Sequence, residues 1–179
     1  LDVARFGGDN SALCVRQGNT VLEIQSFASM DLMQLCGVIK NRYDEATVLE
    51  RPQEILVDVI GIGAGVVDRL REQNLPVRGV NVSESPSSKK NYLNLRAELW
   101  FAIKDWLAQR DCRLPNDDEL VAELAAPLYK YTSTGKIKIE SKDEMRKRGI
   151  KSPDKADALA LTMASSAASF SGSESVFGY

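Results

Sequence analysis

The most informative feature of this sequence is an absence: its 179 residues include no histidine. Without histidine, Ser-His-Asp triads, Cys-His pairs, histidine-ligated zinc and histidine general bases are all excluded. The three cysteines, Cys14, Cys36 and Cys112, are odd in number and widely spaced. They indicate neither a disulfide framework nor a zinc site, and they fit a reducing compartment. Any chemistry must therefore use carboxylates, lysines, hydroxyl groups or bound ions.

Long apolar runs and a basic excess are also missing. No apolar run reaches the roughly 18 residues needed to span a bilayer, so we expect no membrane partner. The net charge of −2 argues against a protein that coats nucleic acid through charge alone. Residues 136–155, however, hold eight basic against four acidic side chains. This segment could face a phosphate backbone, or it could be solvated surface.

Hydrophobic periodicity predicts a single α/β domain over residues 1–170, followed by a disordered tail at 171–179. The apolar run at Leu1–Ala4 predicts a strand, and because the chain opens inside it we expect a longer protein. Further strands are predicted at 11–17, 20–27, 54–60 and 77–82, with a β-hairpin over 128–140. Helices are predicted at 31–43, 66–73, 93–109 and 118–126, and from a Ser152-Pro153 start to about 168.

Four aspartates occupy positions that are costly for an unpaired charge. Asp2 lies in the first predicted strand, Asp58 near the end of a central one, and Asp154 and Asp157 on the first turn of the last helix. A buried carboxylate costs several kcal/mol unless it is paired or metal-bound. The spacing of three places Asp154 and Asp157 on one helical face, where they repel without a cation. Oxygen ligands suit Mg²⁺ or Mn²⁺, and two such ions can hydrolyse a phosphodiester.

A simpler interpretation of each aspartate alone stays open: Asp2 ends a strand, Asp58 precedes a turn, and the last pair favours the helix dipole. The glycines at 61, 63 and 65 lack the spacing of a dinucleotide fingerprint and fit a tight strand-to-helix turn better. Trp100 and Trp106 are assigned to packing. Arg96 and Glu98 are interpreted as a solvent-facing helical pair without a catalytic role.

Four segments, in order along nearly the whole chain, resemble the nuclease domain of tailed-bacteriophage terminase large subunits. They are Leu1-Asp2-Val3-Ala4-Arg5 with Gly7-Gly8-Asp9, Val57-Asp58 with the glycine loop, Asn94 to Trp100, and Ser152-Pro153-Asp154-Lys155-Ala156-Asp157-Ala158-Leu159. The last is the most specific. The resemblance implies a ribonuclease H-like mixed β-sheet flanked by helices.

The resemblance also implies an endonuclease that cuts concatemeric double-stranded viral DNA during genome packaging. Two Mg²⁺ or Mn²⁺ ions would be held by Asp2, Asp58 and Asp157, with Asp154 adjoining. The implied partners are DNA, a packaging ATPase domain in the same full-length protein, the small terminase subunit and the portal protein. The implied location is the host cytoplasm during assembly, not the mature virion. This sequence has no G-x-x-x-x-G-K-[ST] loop, so it does not contain the ATPase.

Two other functions remain possible from the sequence. The first is one lobe of an actin-like ATPase or sugar kinase, since these enzymes share the strand order and also begin with a strand aspartate and a glycine turn. The second is a docking module of the packaging motor that binds the portal or the small subunit and keeps the acids as remnants. Metal-dependent cutting, ATP binding without cutting, and partner binding without cutting distinguish the three.

Overall fold

A computed structural model describes residues 1–4 and 10–164 of the chain. Gly7-Gly8-Asp9, part of the first segment of the family resemblance, and the predicted tail lie outside these residues. The strands are β1 Ser11–Gln17, β2 Thr20–Phe27, β3 Ile55–Asp58, β4 Val77–Val80, β5 Tyr129–Tyr131 and β6 Ile137–Ile139. The helices are α1 Leu32–Glu45, α2 Gly63–Glu72, α3 Leu95–Ala108, α4 Asp118–Ala125, α5 Lys142–Lys147 and α6 Asp154–Thr162.

The N-terminal segment of residues 1–3 joins two pairs of strands. Asp2 exchanges two main-chain hydrogen bonds of 2.9 Å with Ala12 of β1, in the antiparallel sense. On the other side, Leu1 N donates to Leu56 O at 2.7 Å and Asp58 N donates to Leu1 O at 3.1 Å. Since β1 pairs antiparallel with β2 and β3 pairs parallel with β4, the strands follow the order β2, β1, N-terminal segment, β3, β4. This mixed arrangement places Asp2 in the centre.

Helices cover both faces of these strands. Leu13 of β1 and Val57 of β3 pack with buried side chains of α1 and α2, including Leu35 and Leu70. Ala12 and Cys14, which alternate with Leu13, pack on the opposite face against α3, α4 and α6. Because successive side chains of β1 point to opposite faces, this strand contributes residues to the hydrophobic cores on both sides. Among the described residues, no helix combines the length and the apolar character that crossing a membrane requires.

Several predicted elements are confirmed with small changes of boundary. The β1–β2 hairpin has the predicted limits, because Gly18 adopts the positive φ of 54° that its turn needs. Asp31 caps α1 by accepting from Gln34 N, and the reciprocal bond from Asp31 N to the Gln34 side chain completes a capping box. Helix α2 begins at Gly63, three residues before the predicted start, so the glycine segment forms a strand-to-helix turn and the first helical turn.

The predicted start of the last helix is wrong in detail. Pro153, not Ser152, is the N-cap residue of α6, and it makes no side-chain capping bond. Helix α6 ends at Thr162 rather than near residue 168. Glu123 of α4 replaces the missing local cap, because its Oε2 accepts from Ala156 N at 2.9 Å. A side chain from another helix thus satisfies this N-terminus, which a local sequence pattern does not reveal.

Gly63 is required by the close approach of α2 to the end of β3. A Cβ atom at this position would lie 1.7 Å from Asp58 O, a main-chain atom. We expect Gly63→Ala to lower the free energy of unfolding by at least about 2 kcal/mol, because the Asp58 backbone must shift. Gly37→Ala in α1 is the matched control: its Cβ meets nothing within 4 Å, and alanine favours the helix by about 0.5–1 kcal/mol. Urea denaturation of the two variants measures both effects, and equal stabilities would contradict the packing described.

Candidate metal centre

Asp2 and Asp58 reach the same edge of the sheet from neighbouring strands. The N-terminal segment and β3 run parallel, so side chains near their carboxyl ends lie side by side. Asp2 is only 5% exposed. Asp58 is half-buried, and its Oδ1 accepts from Ile60 N at 3.0 Å, which fixes the carboxylate at the strand end. Both side chains line one cavity of about 880 Å³.

Helix α6 brings one further carboxylate to this cavity and a second one close to it. Asp157 lines the cavity and is 8% exposed, whereas Asp154 is 1% exposed and is not among the lining residues. Asp154 Oδ2 accepts from Asn10 N at 2.9 Å. The structure therefore brings together all four aspartates singled out in the sequence, although they span 155 positions between Asp2 and Asp157.

The cationic side chain of Lys142 lies between these carboxylates. Its Nζ is 3.0 Å from Asp2 Oδ2, 3.5 Å from Asp157 Oδ2 and 3.7 Å from Asp154 Oδ1. Lys142 is the first residue of α5, whose start is fixed by a capping box between Ser141 and Glu144. One ammonium group thus meets three carboxylates that come from two distant parts of the chain.

The donor set fits a hard divalent cation. Within the described ranges, no three acidic or cysteine side chains are grouped so that they could hold a metal ion, and the fit is therefore one of ligand chemistry. The carboxylates of Asp2, Asp154 and Asp157 surround the positively charged ammonium group of Lys142, so this position favours a cation. Oxygen ligands without nitrogen or sulfur are those preferred by Mg²⁺ and Mn²⁺. A metal held by Asp2 and Asp157 would compete with the Lys142 ammonium for their carboxylate oxygens.

The pKa shifts reflect burial and mutual charge. Burial raises the pKa of Asp2 to about 6; Lys142 opposes this rise and Asp157 adds to it. Burial also raises the pKa of Asp58, although the hydrogen bond from Ile60 N works against it. Burial disfavours the charged form of Lys142, but the carboxylates of Asp2 and Asp157 outweigh it and hold the lysine pKa above its ordinary value. The centre therefore concentrates negative charge that needs a cation.

Sequence reasoning missed three residues of this site. Arg96 of α3, interpreted from the sequence as solvent-facing, donates to Asp157 Oδ1 from Nε at 3.2 Å and from Nη2 at 3.1 Å. Trp100, assigned to packing, is buried but also donates from its indole Nε1 to Asp157 Oδ1 at 2.8 Å. Lys142 belongs to the basic segment at 136–155, for which contact with DNA phosphates and solvated surface were both left open. The four-residue spacing of Arg96 and Trp100 places them on one helical face, and this spacing could have indicated that they contact the same group.

Glu98 does not pair with Arg96 in the structure. Its carboxylate instead accepts from the backbone N of Ser87 at 2.8 Å and of Ser88 at 2.9 Å, and from the Ser87 hydroxyl. These bonds tie the loop after β4 to the first turn of α3. The interpretation of Arg96 and Glu98 as a solvent-facing pair is therefore wrong: one contacts the acidic centre, and the other holds a loop.

The hairpin formed by β5 and β6 lies beside the same cavity. Lys130 of β5 and Lys138 of β6 both contact Glu144 of α5, at 3.0 and 3.5 Å. Lys138 and Arg146 line the cavity with Lys142. Part of the basic segment at 136–155 is thus turned towards the acidic centre, whereas Lys151 forms a surface ion pair with Glu119.

Glu123, which caps α6, provides a test of the packing behind the aspartates. Burial raises its pKa to about 7, the Ala156 amide opposes the rise, and the charges of Asp154 and Glu119 add to it. Because the folded-state pKa lies above the ordinary 4.5, this group lowers stability increasingly as the pH rises from about 4.5 to 7. Glu123→Gln keeps an acceptor for Ala156 N and removes the charge. We expect its stability gain to be about 2 kcal/mol larger at pH 8 than at pH 5, measured by denaturant unfolding; an equal gain at both values would contradict the buried placement of Glu123.

The strands, the flanking helices and the acidic edge define a ribonuclease H-like fold with a candidate metal centre. Solved structures with this fold include the nuclease domain of the large terminase subunit gp2 of bacterial virus Sf6, with a TM-score of 0.75, 25% identity, and coverage of 90% of this chain and 85% of that one. A variant of that domain, with one lysine changed to alanine and with manganese and β-thujaplicinol, has a TM-score of 0.77, 23% identity and the same coverage. The large terminase nuclease from thermophilic phage G20c has a TM-score of 0.69 and 15% identity, covering 91% of this chain and 78% of that one.

These comparisons confirm the resemblance found in the sequence and the predicted fold. Structures of the Sf6 and G20c domains were also determined with calcium, magnesium or cobalt. No protein-family model matches the chain, and no curated protein is similar to it in sequence at a significant level. The likeness therefore rests on three-dimensional structure and on the spaced motifs.

Proposed function

We propose that this chain is a metal-dependent endodeoxyribonuclease that cuts concatemeric double-stranded viral DNA during genome packaging. The observation that carries the proposal is the convergence of Asp2, Asp58 and Asp157 at one cavity, with the ammonium of Lys142 in contact with Asp2, Asp157 and the neighbouring Asp154. Structural similarity to nuclease domains of phage large terminase subunits supports it. Divalent metals in those relatives support Mg²⁺ or Mn²⁺ as the cofactor.

Asp2, Asp58 and Asp157 would hold the metal, with Asp154 adjoining. Bound as a pair, divalent ions would supply an activated water and stabilise the leaving oxygen of the phosphodiester. Asp2 and Asp58 meet from adjacent strands, and Asp157 is presented by the first turn of α6, so rigid elements fix all three. No histidine or other separate base is required, in agreement with the absence of histidine from the chain.

The residues around the cavity would also bind the DNA backbone. Lys138 and Arg146 line the cavity on the side of α5 and β6, where they would neutralise phosphates next to the scissile bond. Lys142, once displaced from the carboxylates, would join them. Because the chain as a whole has a net charge of −2, DNA binding would depend on this local basic surface.

The proposed partners extend beyond DNA. As part of a packaging motor in the host cytoplasm, the domain would act beside an ATPase domain of the same full-length protein, the small terminase subunit and the portal protein. We also propose that residues 1–170 form the nuclease domain.

Incubation with supercoiled plasmid tests this function. We expect nicked and linear plasmid with Mn²⁺ or Mg²⁺, none with a chelator, and little cutting of a double-stranded RNA of similar length. ATP binding without cutting would favour the actin-like lobe, and binding of the portal or small subunit without cutting would favour the docking module. Cutting that persists in chelator would contradict metal dependence.

A further inference from the structure

The two oxygens of the Asp157 carboxylate have different surroundings. Oδ1 accepts from the Trp100 indole Nε1 at 2.8 Å and from two nitrogens of Arg96, at 3.2 and 3.1 Å. Oδ2 lies 3.5 Å from Lys142 Nζ, and it also accepts from Arg96 Nη2 at the longer distance of 3.3 Å. Donors from α3 therefore occupy one edge of the carboxylate, while the other edge meets the cation at the centre.

The two donors are themselves fixed. Trp100 is 7% exposed, so its indole N–H needs an internal acceptor, and Asp157 is that acceptor. The Arg96 guanidinium lies over the Trp100 ring, 5.6 Å from its centroid, and its Nη1 donates to Glu140 O at 2.7 Å. Helix α3, capped by Asn94, carries both side chains on one face against α6. Neither donor can swing away from Asp157 without disturbing packing.

Such an arrangement matters for a carboxylate that binds a metal. A free carboxylate rotates about its last torsion and offers either oxygen, whereas hydrogen bonds from surrounding groups hold a ligand in one orientation. Loss of such a supporting bond commonly lowers metal affinity by about 10- to 100-fold. The same donors also offset part of the charge repulsion between Asp157 and the other acids.

We propose that Trp100 and Arg96 are positioning residues that fix the Asp157 carboxylate and turn its Oδ2 towards the metal. The inference rests on the proposed function, because it assigns a role to these side chains within the same metal centre. It assigns neither residue to the reacting atoms. Trp100 fixes the position of Oδ1 through a single buried bond, and Arg96 fixes the plane of the carboxylate through two nitrogens.

Trp100→Phe and Trp106→Phe form a matched pair that tests the role of Trp100. Each change keeps an aromatic ring in α3 and removes one indole hydrogen bond; Trp106 donates to Asn19 Oδ1 at 3.1 Å, away from the acidic cavity. We expect Trp100→Phe to weaken Mn²⁺ binding by about tenfold or more in calorimetric titration, and Trp106→Phe to leave it unchanged. Equal affinity in wild type and Trp100→Phe, or equal losses in both variants, would overturn the proposal.

Indole N–H resonances give a readout that does not depend on activity. The protein has two tryptophans, so a ¹⁵N-correlated spectrum shows two such signals, assigned with the phenylalanine variants. We expect the Trp100 signal to move both in Asp157→Asn and on addition of Mg²⁺, while the Trp106 signal stays in place. A Trp100 signal insensitive to Asp157→Asn would overturn the positioning role alone. A different result would be a Trp100 signal that moves in the Asp157→Asn variant while the wild-type protein binds no metal. That result would overturn the proposed function, and with it the metal-directed role of Trp100.

Discussion

Asp2→Asn, Asp58→Asn and Asp157→Asn should each lower the rate of Mn²⁺-dependent plasmid cleavage by on the order of 1000-fold, or about 4 kcal/mol of transition-state stabilisation. The amide is close to the carboxylate in size but supplies one neutral oxygen, so metal binding and charge stabilisation are lost together. The local hydrogen bonds survive, because an amide oxygen can still accept from Ile60 N at position 58 or from Trp100 at position 157. The effect should therefore be chemical rather than structural.

Asp105→Asn is the matched control for this series. Asp105 lies on α3, is exposed, and pairs only with its neighbour Lys104 among the ion pairs of the described chain. We expect its cleavage rate to equal that of the wild type. Thermal unfolding of all four variants establishes that they are folded. Full cleavage by folded Asp2→Asn or Asp157→Asn protein would remove the basis of the nuclease assignment.

Lys142→Ala should have opposite effects on metal binding and on metal-free stability. Lys142 is the cation that Asp2, Asp154 and Asp157 share, so its loss leaves buried carboxylates facing one another. Breaking a buried pair by removing one partner costs about 3–5 kcal/mol. The Lys142 side chain is 32% exposed, and we therefore expect a smaller loss of about 2 kcal/mol without metal.

Mn²⁺ should more than restore the stability of Lys142→Ala. Because the ion no longer competes with an ammonium group, its affinity should rise at least about tenfold, and binding to the folded state stabilises it by mass action. Lys147→Ala, an exposed position on the same helix, should change neither quantity. Calorimetric titration and metal-dependent unfolding curves measure both. Unchanged affinity in Lys142→Ala would show that the lysine does not stand in the place of the metal.

The parts of the site that were predictable are those in which a single residue conflicts with its local surroundings. Asp2 and Asp58 stand out because they are charged side chains in apolar strands, and Asp154 and Asp157 because two acids share one helical face. The β1–β2 hairpin was predictable because its strands are adjacent in sequence and Gly18 suits the turn. These signals are local; the hairpin has its predicted strand limits, and Asp2, Asp58 and Asp157 line one cavity. The metal-binding roles of the aspartates stay predictions until metal binding is measured.

The parts that were not predictable depend on which surfaces meet in three dimensions. Helix α5 has only six residues, nearly all charged, and its sequence gives no sign that Lys142 points inwards. Arg96 contacts Asp157 because α3 packs against α6, a pairing that the periodicity of α3 alone does not specify. The start of α6 was misplaced because Glu123, from another helix, satisfies its amide. In each case a contact between distant residues decides the role.

Anomalous diffraction from crystals soaked in Mn²⁺ would locate the metal and its ligands. We expect manganese in the cavity, within about 2–2.5 Å of carboxylate oxygens from Asp2, Asp58 and Asp157, with the Lys142 ammonium moved away from them. Manganese absent from this cavity at saturating concentration, with Lys142 still in contact with Asp2, would contradict this expectation.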